Sequence, residues 1–111
     1  DFLEERVTAR EILRRRVYEE VTEYNARRPE VFQGLVQPEG AERVLNGFRV
    51  GAGRQLDWEA QYRQALAAFG RLGFVMLIDE RQIEDLDEPV HLRQDVPTEV
   101  TFLKLVPLVG G

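Results

Sequence analysis

The run Phe74-Val75-Met76-Leu77-Ile78 constrains this chain more than any other stretch. Five successive apolar residues, entered from Gly73 and left through Asp79-Glu80, read as a buried central strand, which needs cover from other elements. Two amphipathic segments offer that cover. In the first, Thr8-Ala9-Arg10-Glu11 reads as a capping box: the Thr8 hydroxyl and the Glu11 carboxylate each satisfy an amide that the helix leaves unpaired. Behind it Ile12, Leu13, Val17, Val21 and Tyr24 recur at helical spacing, and arginines and glutamates fill the remaining surface. Pro29 cannot continue a helix and disfavours helical geometry at Arg28, so the pattern predicts a helix over about residues 9 to 27. In the second segment Asp57 is the N-cap. Trp58, Tyr62, Ala65, Leu66, Phe69 and Leu72 give the apolar face, and Gly73 suits the left-handed residue that ends the helix.

The remaining pieces are shorter. Phe2 to Val7 reads as the end of a strand, Asp79 to Gln82 as a turn, and Ile83 as a brief pairing strand. An acidic loop, Glu84 to Pro89, leads into the extended piece Val90-His91-Leu92. Glu99 to Val106 is rich in β-formers and is interrupted by Pro107. Between the helices, Gly34, Pro38, Gly40, Gly47, Gly51 and Gly53 break residues 29–56 into fragments. Leu35-Val36 and the Phe48/Val50 alternation read as extended, Ala41 to Leu45 as one helical turn or two. The whole segment is expected to be an insertion that packs on the domain without forming its framework.

With 111 residues the chain has the size of one domain, and an apolar share of 43% is that of a globular protein. A bilayer span needs roughly 20 apolar residues, far more than any run here, so no membrane partner is expected. No basic-then-apolar leader opens the chain, which gives a cytoplasmic expectation; the first residue is Asp1 rather than Met, and what precedes it is open. The absence of cysteine removes disulfides, a thiol nucleophile and thiolate metal sites. A net charge of −5 opposes a surface that tracks phosphates, so nucleic acid is not an expected partner. Of 15 basic residues the only lysine is Lys104.

From Phe74 onward the order is strand, tight turn, Ile83, acidic turn, Pro89-Val90-His91-Leu92, polar turn, then Glu99-Val100-Thr101-Phe102 and a closing Gly110-Gly111. This resembles the small β-grasp sulfur carriers, the small subunit of molybdopterin synthase and the thiazole-synthesis carrier, and more broadly ubiquitin and its modifier relatives. The preceding strand, Thr-capped helix and second helix follow the same order. The resemblance covers residues 2–27 and 57–111. It departs in lacking the first strand of the opening hairpin, in carrying the extra segment 29–56, and in a tail about two residues longer than the carriers', without ubiquitin's basic residues. The fold it implies is α+β: a mixed β-grasp sheet against helices, in one ubiquitin-like domain over residues 1–111 with a flexible tail at 107–111.

The resemblance also implies a function. A separate activating enzyme, using ATP, would adenylate the Gly111 carboxylate, and a sulfur nucleophile would then give a thiocarboxylate, or a thioester passed to an amine. The chain itself would hold no cofactor and no catalytic residue; a downstream acceptor protein or synthase would receive the product. Gly110 and Gly111, lacking Cβ atoms, can thread a narrow channel. Strand alternation adds a docking surface: with Val100 and Phe102 facing the core, Leu103 and Leu105 face away, and Leu108 continues them into the tail. The opposing expectation is that the inserted segment covers these leucines as a second small core. Were the chain a modifier, self-linkage would use Lys104 or the N-terminal amine.

The alternative is an interaction module of the same fold without terminal chemistry. An enzyme is disfavoured because no nucleophile-base pair or metal cluster stands out. His91 has no partnered Cys, Ser or second His, the acidic loop lacks calcium-loop spacing, and Gly51-Ala52-Gly53 lacks the strand-then-helix setting of a phosphate loop. Arg14, Arg15 and Arg16 sit among glutamates and read as a salt-bridged solvent face.

Overall fold

The computed structural model describes residues 4–105. It is an α+β fold of two helices and small antiparallel sheets: β1 (Glu4–Thr8), α1 (Ala9–Arg27), β2 (Glu42–Val44), β3 (Gly47–Arg49), α2 (Trp58–Gly70), β4 (Phe74–Ile78), β5 (Arg81–Gln82), β6 (Pro89–Arg93) and β7 (Val100–Lys104). Strands pair as β1-β6, as β2-β3, and as β5-β4-β7. Every pairing among the described residues is antiparallel, in place of the expected single mixed sheet. Phe2 and Leu3, expected in the first strand, and the tail from Val106 lie outside the described residues.

Helix α1 starts and ends where the sequence places it, but its start is satisfied differently. The Thr8 hydroxyl accepts from the Glu11 amide at 3.1 Å. The Glu11 carboxylate does not close the capping box; it accepts from Arg14 at 2.8 Å and from Arg15 at 2.9 Å. The acidic loop satisfies two further leading amides: Ala9 donates to the Glu88 carbonyl (2.9 Å) and Arg10 to that of Leu86 (2.8 Å). Arg10 adds an ion pair to Asp87.

Helix α2 closes with a Schellman geometry in which Gly73 donates to Ala68 and Leu72 to Phe69. The left-handed residue is Leu72 (φ 59°), not Gly73. Leu72 consequently points away from the apolar face and is exposed. Gly73 is needed for space, since a Cβ there would stand 3.2 Å from the Ala68 Cβ and carbonyl oxygen. Ala68 and Gln61 take the buried places on α2, and the Gln61 amide is satisfied by the Val36 carbonyl.

Residues 29–56 are part of the core. Phe32, Leu35, Phe48, Val50 and Leu56 are buried with Leu13, Val17 and Met76 in one cluster. Ala41 to Leu45 contains no helix; Glu42–Val44 pairs with Gly47–Arg49 as a hairpin, and Phe32 bridges to Phe48. Asn25 fastens the segment's end, donating to the Leu56 carbonyl (2.9 Å) and accepting from the Leu56 amide (3.0 Å).

Candidate functional site

The register of β7 on β4 decides which side chains reach the surface. Val100, Phe102 and Lys104 stand opposite Ile78, Met76 and Phe74, so all six share the inner face. The helices cover that face, through Phe69 against Phe74 and Arg16 over the Phe102 ring. Leu103 and Thr101 stand opposite Val75 and Leu77 on the outer face. Leu105 extends the register, donating to the Gly73 carbonyl at 3.0 Å. β4 is therefore fully buried only on alternate residues: Phe74, Met76 and Ile78 are sealed, while Val75 and Leu77 are partly exposed.

The two alternatives for the β7 leucines now separate. Leu103 and Leu105 are each 48% exposed, and the inserted segment does not cover them. It packs instead on the second half of α1, where Tyr24 meets Phe32 edge to face. Gly110, Gly111 and Leu108 lie outside the described residues, as does the tail as a whole.

The outer edge of β7 carries no strand among the described residues. Leu105 bonds inward to Gly73, and Asp79 donates to the Glu99 carbonyl. Antiparallel pairs alternate, so the N–H and C=O groups of Val100, Phe102 and Lys104 face the open edge. An unpaired row of this kind is a template for another strand.

Lys104 stands where three cations converge. Its Nζ lies 5.4 Å from the centre of the Phe48 ring, which Arg43 also overlies at 5.8 Å, while Arg16 lies 4.9 Å from that of Phe102. The carboxylate nearest Arg16 and Lys104 is Glu20, whose side chain is only 13% exposed. Glu20 accepts from Arg16 at 2.9 Å and from the Leu35 amide at 3.2 Å. Burial raises its pKa against those two donors. Burial likewise lowers that of Lys104; the nearby Glu20 opposes this, and the Arg16 and Arg43 charges add to it.

His91 and the acidic loop make contacts within the fold. His91 Nδ1 and the Glu4 carboxylate meet at 2.5 Å across β1-β6, and this bond lowers the Glu4 pKa. Within the acidic loop Asp85 accepts from the Asp87 amide, and Arg81 pairs with Glu88. Among the described residues no three His, Cys, Asp or Glu side chains are grouped to hold a metal ion, and no helix is long and apolar enough to cross a membrane. A shallow depression of about 290 Å³ between α1 and residues 29–34 is lined by Tyr24, Arg27, Pro29 and Phe32. It is largely apolar and brings together no nucleophile and base. Sequence reasoning found the leucines through alternation but missed the cation cluster, because Arg16, Arg43 and Lys104 come from three distant elements.

Comparison with protein-family models, with curated proteins and with solved structures finds no match to this chain.

Proposed function

We propose that this chain is a protein-binding domain that takes an extended partner segment along β7. The observation that carries the reading is the coincidence of a strand edge left unpaired among the described residues with exposed Leu103 and Leu105 on the adjoining face. Backbone pairing along an edge supplies affinity, and side-chain contacts on alternate residues supply specificity. The aliphatic contacts belong on the outer face, where Val75 and Leu77 extend the apolar surface beyond the two leucines. The test compares proteins retained by the wild-type chain with those retained by Leu103→Arg and Leu105→Arg. A partner lost with both variants is then purified in complex for amide hydrogen exchange. Protection of the Phe102 and Lys104 amides is the expected result; protection confined to other elements, with these two still exchanging freely, rejects the reading.

A second reading is favoured by the sequence beyond β7, which passes from Leu105 to Gly110-Gly111. On that reading the chain is a modifier or sulfur carrier: a separate ATP-using enzyme activates the Gly111 carboxylate, and the same leucines dock that enzyme. The β-grasp assignment behind it rests on the resemblance in residue order, since the described pairings include no parallel strands. It requires Gly111 to be the carboxyl terminus of the mature natural protein. Intact-mass measurement of the natural protein, before and after ATP, an activating enzyme and a sulfur donor, tests it. A gain of about 16 mass units per oxygen replaced by sulfur, or an adduct abolished by deleting Gly110-Gly111, supports activation; a mature chain extending past Gly111 eliminates it.

A further inference from the structure

The inner-face end of β7 carries charge that the fold does not neutralise. Arg16 comes from α1, Arg43 from β2 and Lys104 from β7, and all three guanidinium or ammonium groups lie against the Phe48 and Phe102 rings. Glu20 is committed to Arg16 and to the Leu35 amide. Arg43 and Lys104 have no carboxylate within 4.0 Å among the described residues, and both are exposed. Three positive charges thus share one buried negative charge in a chain whose net charge is −5. The excess is local, and it lies beside the backbone groups of Phe102 and Lys104 that face the open edge. A strand laid on that edge would project alternate side chains toward this cluster, while the intervening ones would turn to the side of Leu103 and Leu105.

We propose that the segment docking along β7 is an acidic extended peptide, with apolar residues on the Leu103/Leu105 side and carboxylates alternating toward Arg16, Arg43 and Lys104. The proposal rests on the edge-docking reading above and adds the chemistry of the partner. Aspartate or glutamate is favoured because the cations stand on separate elements, so carboxylates spaced along a strand can meet them in turn. Their alkyl stems and guanidinium planes are held on aromatic rings, which lowers the ordering needed on binding. Burial lowers the Lys104 pKa, and the neighbouring Arg16 and Arg43 charges add to that against the opposing pull of Glu20.

The test uses the full chain and three probes: a peptide of about six residues alternating valine with glutamate, its valine-glutamine counterpart, and inorganic phosphate. Binding is followed by amide NMR shifts. The glutamate peptide is expected to move the amides of Lys104, Phe102 and Arg43, to bind about tenfold more tightly than the glutamine peptide, and to weaken with added salt. Arg43→Gln with Lys104→Gln should bring the affinities of the glutamate and glutamine peptides together. Arg16 is left intact because it holds Glu20. Equal binding of the two peptides at β7 overturns the acidic preference and leaves edge docking standing. Phosphate moving the same amides as strongly as the glutamate peptide replaces the peptide with a free-anion site. Failure of both peptides to bind rejects the acidic preference and edge docking together.

Discussion

Leu72 occupies a backbone position that glycine fills more easily. Its φ of 59° carries the left-handed cost of a side-chain-bearing residue, and the side chain gains little because it is largely exposed. Leu72→Gly should therefore stabilise the fold by about 0.5–1 kcal/mol, read as a higher denaturant midpoint at unchanged slope. A lower midpoint would show that Leu72 contributes contacts which outweigh its strain. The sequence offered Gly73 for this role because glycine is the common choice one step after a helix. What it concealed was the close approach of Ala68, a packing fact that reserves Gly73 for space. Lys104 was legible as the only lysine, but the rings beneath it and the arginines beside it come from elements far away in the sequence.

At the scale of elements, the helices were legible because their signals are local. Thr8 and Asp57 both cap as expected, each accepting a backbone hydrogen bond from the first turn of its helix. The strands β2 and β3 were not, since Ala41 to Leu45 has no period that separates a helical turn from a short hairpin. Glu11 shows a local signal put to another use. Its pKa falls from the usual 4.5 to about 2, chiefly through its hydrogen bonds with Arg14, with Arg15 adding to the shift. A carboxylate with a depressed folded pKa contributes stability that is present above its unfolded value and is lost as pH falls toward the folded one. Glu5 is lowered too, by Arg15, and acts in the same direction. Chemical denaturation at about pH 5 and about pH 2 should show a smaller acid-induced loss for Glu11→Gln than for the wild type. Identical losses would mean that the Arg14 and Arg15 contacts do not persist in solution.

For the molecule as a whole, residues 29–56 supply Phe32, Leu35, Phe48, Val50 and Leu56 to the same buried cluster as the helices. In sequence this stretch looks like an addition, because its glycines conceal isolated apolar residues that find partners only in three dimensions. Asn25 joins it to α1 with two bonds to Leu56. Asn25→Ala leaves that amide and carbonyl without their partners and should cost about 1–3 kcal/mol. If the core is shared, the variant melts at lower temperature in one transition by near- and far-ultraviolet circular dichroism. Two separated transitions would make the segment an independent unit. The antiparallel pairings lay equally beyond sequence reading, since β1 and β6 meet from opposite ends of the described chain.

The capping of α1 by the acidic loop has a consequence for biosynthesis. Helix α1 leaves the ribosome well before residues 86–88, yet the carbonyls that receive its leading amides belong to Leu86 and Glu88. Until those residues emerge, the nascent helix keeps a frayed start and an apolar stripe without its sheet. Loop closure over so long a separation comes late, which exposes the helix to chaperones and proteases until residues 86–88 have been made.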